Sequence, residues 1–182
     1  RRDGKGGLSP RTVRHHHRLI HVALESAVKL QLVHRNVSDS VTAPKYRNKE
    51  MQTFNEEGML AFLESVKVTE YYPMFYTALF TGVRRSELLA LRWSDIDLDL
   101  GYISINRSIH HLEDKSFVFQ PPKTAKSRRQ VPLSPSTSIV LRQHRDNQRA
   151  AKLLLGKPVT ESSLVFCQLD GSPLLPRSVS QA

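Results

Sequence analysis

The stretch Thr81-Gly82-Val83-Arg84-Arg85-Ser86-Glu87-Leu88-Leu89-Ala90-Leu91-Arg92-Trp93-Ser94-Asp95-Ile96-Asp97 constrains this chain more than any other. The apolar segment Met74 to Phe80 runs into Gly82, which can take the left-handed conformation that closes a helix. Ser86, Glu87, Leu88 and Leu89 then read as the next helix, so Arg84 falls at a helix start just after a sharp turn. Amides at a helix start and a guanidinium both suit an anion, and the planar fork of an arginine can grip two oxygens of one phosphate. Glu87 lies three residues on, where it can hold Arg84 in one rotamer. An ordinary exposed ion pair, worth about 0.2–0.5 kcal/mol, has the same spacing. Spacing alone does not separate the two readings.

Charge narrows the partner. Lys and Arg total 27 against 17 Asp and Glu, a formal charge of +10, which favours a polyanion and nucleic acid before a membrane surface. The 182 residues include 39% hydrophobic and 24% charged side chains, enough for a sizeable core and unlike a disordered chain. Cys167 is the single cysteine, which excludes an intrachain disulfide and fits a reducing compartment. Its place in the run Leu164-Val165-Phe166-Cys167 suits a buried small hydrophobe better than a nucleophile. The N-terminus Arg1 to Gly7 is basic and glycine-rich with no apolar core behind it, so no secretory signal is expected. Nothing approaches the length of a membrane span. Lacking an initiator Met, the chain reads as an excised piece.

Along the chain, Ser9-Pro10 opens a helix expected to run to about Gln31. Val13, Ile20, Leu24, Ala27 and Gln31 fall on one face, predicted to pack, while Arg11, Arg14, Arg18 and Lys29 make an opposite basic face. That face is either a solvated surface or a contact for nucleic acid. His15, His16, His17 and His21 lack Cys or carboxylate partners at ligand spacing, so no metal site is expected. The polar and basic run from Val33 to Met51 is the best linker candidate, with the boundary at 46–50. Asn55-Glu56-Glu57 caps a further helix with Met59, Leu60, Leu63 and Val66 as its buried stripe, and another helix spans about Glu70 to Thr81. Tyr71, Tyr72 and Tyr76 in that helix read as packing or surface residues. Gly101 to Ile105, Phe117 to Phe119 and Arg129 to Leu133 are extended and predict a three-stranded antiparallel sheet. Ser134-Pro135 starts a long helix stopped at Gly156, whose middle, Arg142 to Arg149, is polar all round and expected to face solvent. Leu164 to Cys167 reads as a short strand, Asp170-Gly171 as a turn and Arg177 to Ser180 as the start of a helix.

A second block, Pro122-Lys123-Thr124-Ala125-Lys126-Ser127-Arg128-Arg129-Gln130-Val131-Pro132-Leu133, lies between the second and third predicted strands. A cationic hairpin there can enter a DNA groove, where a lysine can donate a proton and an arginine can offset phosphorane charge. On physical grounds alone it is equally a basic loop holding phosphates non-specifically. Together with the stretch around Arg84, this block resembles the tyrosine recombinases, the phage integrase family. The first stretch resembles their first arginine box, and the second resembles the hairpin with their catalytic lysine.

The resemblance implies an α+β fold, mainly helical with a small three-stranded antiparallel sheet, in an incomplete integrase-type catalytic domain. It places the end of a helical core-binding domain at 1–45, the linker at 46–50 and the N-terminal part of the catalytic domain at 51–182. It implies DNA strand exchange through a 3′-phosphotyrosine, with Arg84 on the scissile phosphate, Glu87 supporting it and Lys123, rather than Lys126, as general acid. Arg11, Arg14, Arg18, Lys126, Arg128 and Arg129 are weaker candidates for DNA contacts. The implied partners are double-stranded DNA and other protomers of the same recombinase, with no membrane, no metal and no cofactor, in the cytoplasm of a bacterial or phage-infected cell. The family mechanism also needs, after the lysine, a His-x-x-Arg box and a nucleophilic tyrosine. After Lys123 this chain has one histidine, His144, followed three residues on by Asn147, and it has no tyrosine after Tyr102. His15 to Arg18 has the His-x-x-Arg spacing but precedes Arg84. The chain by itself is therefore expected to be inactive. Two other classes fit the residues: a DNA-binding module without catalytic role, and a basic protein-interaction domain.

Overall fold

The computed structural model describes residues 6–46, 50–112, 116–121 and 128–179, with backbone alone at 176 and 177. Its chain divides into two compact units, Arg1–Thr53 and Phe54–Ala182. In the first, helix α1 spans Pro10–Lys29, and the Ser9 hydroxyl accepts the Thr12 amide at 3.2 Å. It ends two residues earlier than the periodicity predicts. Gln31 turns left-handed at φ 58°, and the Leu32 amide donates back to the Ala27 carbonyl, a helix-closing pattern that usually recruits glycine.

The predicted packing face of α1 is largely open. No residue of the helix is buried, Ile20 is 55% exposed, and only Leu24 and Ala27 of the expected stripe are half-buried. A single-turn helix at Val37–Ser40 attaches instead beside the polar side chains. His17 Nε2 lies 3.1 Å from the Val41 carbonyl, His21 pairs with Asp39 at 2.9 Å, and Asn36 donates to the His21 carbonyl. Carbonyls and a carboxylate that need donors thus decide which side of α1 is covered.

The second unit begins with α2 at Glu56–Val66, capped by Asn55 through the Gly58 amide, followed by α3 at Tyr72–Thr81. Leu63 and Val66 are buried as predicted, but Leu60 is exposed and Phe62 takes its place, stacked on Phe54 and edge-on to Phe75. Gly82 closes α3 in the left-handed region at φ 62°. A one-turn helix α4, Arg85–Leu88, follows, then a 3-10 turn at Trp93–Asp95. Val83, Leu88, Leu89, Ala90, Leu91, Trp93 and Ile96 are all buried, so this stretch is the centre of the core. An indole N–H in that setting needs a partner, and Trp93 Nε1 donates to Gln148 at 2.7 Å.

The strands are β1 (Ile96–Asp97), β2 (Tyr102–Ile105), β3 (Ser108–His111), β4 (Phe117–Gln120) and β5 (Arg129–Pro132). A three-stranded antiparallel sheet is present in the order β1-β2-β5, while β3 and β4 form a separate hairpin. Its membership differs from the sequence expectation: Phe117 to Phe119 pair with Ile109 to His111, and Ile96–Asp97 supplies the third strand. Two-residue β1 is too short to show a period. Alternation in β2 buries Ile103 and Ile105, and Ile105 pairs with Arg129 at the start of β5.

Helix α5, Pro135–Leu154, runs between Ser134 as cap and Gly156 at φ 66°. Its middle does not simply face solvent. His144, Arg145 and Gln148 turn inward, with His144 Nε2 donating to the Val165 carbonyl at 2.7 Å and Gln148 Nε2 to the same oxygen at 3.0 Å. Polar residues there satisfy loop carbonyls that apolar ones would leave unpaired. The expected strand at Leu164 to Cys167 reduces to isolated bridges, Arg92 with Leu164 and Cys167 with Pro173. Cys167 is half-buried, with Sγ accepting from Gln148. The last turn, α6, is Pro176–Val179.

Candidate functional site

The site is built on one buried carboxylate. Leu88 and Leu89 directly follow Glu87 in sequence and are fully packed, so α4 is held against the core and carries Glu87 inward with it. The Glu87 side chain is 8% exposed, and an isolated charge at such depth is strongly unfavourable. Among the described residues four donors satisfy it. The Arg84 amide donates to Oε2 at 3.0 Å and Arg84 Nη1 to Oε1 at 3.0 Å. Arg129, from the first position of β5, adds Nη1 to Oε1 at 3.1 Å and Nη2 to Oε2 at 2.8 Å. Burial pushes the Glu87 carboxyl up, but the hydrogen bonds from Arg129 and from the Arg84 amide and side chain together outweigh it, holding the group below its ordinary range. Its bond to Glu87 raises the Arg129 guanidinium against a smaller opposing effect of burial.

Arg84 itself is 71% exposed. One terminal nitrogen is tied to Glu87, and the rest of the guanidinium fork faces outward. That combination of a fixed base and an open edge distinguishes it from an exposed ion pair, in which both partners move. The expectation that helix-start amides take part is not met at Arg84, whose N–H is already given to Glu87. Among the described residues Arg84 and Glu87 are brought together as the spacing suggests. Arg129 joins them across 42 positions of sequence, a partnership no helical spacing could signal. The only advance sign was a cluster of basic residues at the start of an extended segment. Arg128 is exposed, and Lys123 and Lys126 lie outside the described residues.

Arg11, Arg14 and Arg18 line an open groove within the first unit, together with His15, Lys45 and Tyr46. The Arg14 guanidinium lies 5.5 Å from the centre of the Tyr46 ring, an arrangement that favours a planar cation over an aromatic face. Among the described residues no carboxylate lines this groove. The His15 to His21 group forms no metal-ligating cluster among the described residues. Nor is any described helix long and apolar enough to cross a membrane.

The model of the phage integrase family matches residues 49–182. A XerC-like tyrosine recombinase of Caldanaerobacter subterraneus subsp. tengcongensis is 34% identical over 115 residues, covering 59% of this chain and 29% of the relative. The ICEBs1 integrase of Bacillus subtilis is 29% identical over 162 residues, covering 88% of this chain and 44% of the relative. This chain thus spans less than half the length of either relative. Among solved structures, the Tn1549 transposon integrase in complex with transposon right end DNA matches with a TM-score of 0.73 at 21% identity, over 92% of this chain and 54% of that one. A lambda integrase dimer bound to a core site matches at 0.57 and 15% identity, over 90% and 41%. At these identities the structures speak for the fold.

Proposed function

Because the chain belongs to the phage integrase family, we propose that it is part of a site-specific tyrosine recombinase that binds duplex DNA and cuts and rejoins it through a 3′-phosphotyrosine. Residues 1–45 are the end of a helical DNA-binding domain, 46–50 the linker and 51–182 the N-terminal part of the catalytic domain. The observation that carries this reading is Arg84, an exposed guanidinium fixed to a buried carboxylate. In the reaction a tyrosine hydroxyl attacks phosphorus and loses its proton, and the bond from phosphorus to the 5′ oxygen breaks. Arg84 offsets charge on the phosphorane, Glu87 fixes its direction, and Lys123 gives the leaving 5′ oxygen its proton. Rejoining is the reverse, with a 5′ hydroxyl attacking the phosphotyrosine. Arg11, Arg14, Arg18, Lys126 and Arg128 contribute backbone contacts, and assembly with other protomers belongs to the complete protein in the bacterial cytoplasm.

The tyrosine of this scheme and the family's His-x-x-Arg box are not among these 182 residues: no tyrosine follows Tyr102, and His144, the one histidine after Lys123, has Asn147 three residues on. The test is therefore binding and covalent chemistry measured on the chain itself, with a labelled duplex titrated at several salt concentrations. The expected outcome is reversible binding that weakens steeply with salt, by about 0.9 in log–log slope for each phosphate neutralised, and no adduct that survives denaturation. Absence of duplex binding at low salt, or a covalent protein–DNA adduct, overturns the reading.

A further inference from the structure

We infer that Arg129 is a positioning residue, which through Glu87 sets the direction of the Arg84 guanidinium rather than contacting DNA itself; this rests on the recombinase reading above. Glu87 has two carboxylate oxygens, and Arg129 holds both in a bidentate fork while Arg84 shares them, by Nη1 on Oε1 and by its amide on Oε2. A carboxylate held at both oxygens cannot rotate, so the Arg84 nitrogen bonded to it acquires a fixed direction. Among the described residues, without Arg129 the carboxylate keeps only bonds from Arg84, which lies on the same turn and moves with it. The remote strand supplies the external reference.

The anchoring has a structural basis on both sides. Glu87 sits between Arg84 and the buried Leu88 and Leu89, so its backbone is fixed by the core. Arg129 pairs with Ile105, itself fully buried in β2, so the backbone at the base of the fork is fixed by the sheet. Two rigid elements thus meet at a single carboxylate. Arg129 is 33% exposed, against 71% for Arg84, and both its terminal nitrogens are engaged by Glu87, whereas Arg84 turns most of its surface outward. Of the two arginines on this carboxylate, Arg84 is the one free to take a phosphate.

The test uses Arg129→Gln and Arg129→Lys, the second retaining charge while losing the bidentate fork. On the 182-residue chain, NMR follows rotation of the Arg84 guanidinium and titration of the Glu87 carboxyl. Arg129→Gln is expected to speed Arg84 rotation and to move the Glu87 midpoint upward, with Arg129→Lys intermediate. In the complete recombinase both variants are expected to lower the cleavage rate at saturating DNA by tenfold or more for Gln, less for Lys, with site affinity changed by less than about twofold, a single contact being a small share of binding. Unchanged Arg84 rotation and Glu87 titration in both variants would overturn the inference, as would a loss confined to affinity with cleavage at saturation intact. If Arg129→Gln does not fold, Arg129→Lys decides by the same readouts. Should the recombinase reading fail, with no cleavage in the complete protein, the NMR readout still decides whether Arg129 orients Arg84.

Discussion

The arginines of the two units are held in opposite ways. Arg84 is fastened to a carboxylate sunk in the core, which a second arginine locks from a neighbouring strand. Arg11, Arg14 and Arg18 stand on a helix with no buried residue and line a groove that has no carboxylate among its described lining residues. The first arrangement fixes direction, because rotating the Arg84 side chain away would remove its hydrogen bond to a buried, already immobilised carboxylate. The second supplies field without fixing direction, which suits a phosphate backbone whose contacts can shift by an ångström at little cost. Chemistry at one phosphate needs the former, and affinity spread over many needs the latter.

The contrast can be broken at its foundation. Leu89→Ala, at a fully buried position beside Glu87, is expected to destabilise the second unit by about 2–5 kcal/mol in denaturant unfolding, whereas Ile20→Ala on open α1 shifts stability by less than about 0.5 kcal/mol. Equal effects would mean that α1 is as tightly packed as the core. At Glu87→Gln the expected loss is about 1–3 kcal/mol, since hydrogen bonds to two guanidiniums are weakened together.

Acid provides a finer cut through the same carboxylate. The folded Glu87 pKa lies below its ordinary value of 4.5, so its stabilisation is complete above that pH and is lost as pH falls through the folded value. Glu87→Gln should flatten that limb of a stability curve. His144 acts at higher pH. Burial pushes its imidazole down from 6.5 and the Val165 carbonyl only partly restores it, so protonation is less favourable in the folded protein than in the unfolded chain. Stability should therefore begin to fall as pH drops below about 6.5, and His144→Gln should remove that step. The smallest effect belongs to the groove: Arg14→Ala is expected to weaken duplex binding a few-fold and to reduce the salt slope by about 0.9, without altering unfolding of the second unit.

The turn at Gly82, the caps Ser9, Asn55 and Ser134, and the stop at Gly156 were legible because each is a local demand of the backbone on a single residue type. Arg84 with Glu87 was legible for the same reason, being three residues apart. What the sequence could not convey lay between distant segments. Pairing of Phe117 to Phe119 with β3 rather than β2 depends on which edge is free, and β1 is too short to announce itself. His144 and Gln148 look solvated until the carbonyls of Leu164 and Val165 arrive beside them. The open face of α1 misled in the other direction, since an apolar stripe states a need for a partner and not its presence.

The central claim is that Arg84 serves the reacting phosphate rather than general affinity. It is tested most directly by Arg84→Ala in the complete recombinase, with strand cleavage and site binding measured on the same DNA. The account predicts that cleavage is abolished while most of the binding remains, one phosphate contact among many being a small share of affinity. Equal loss of both, or cleavage that survives, would contradict it.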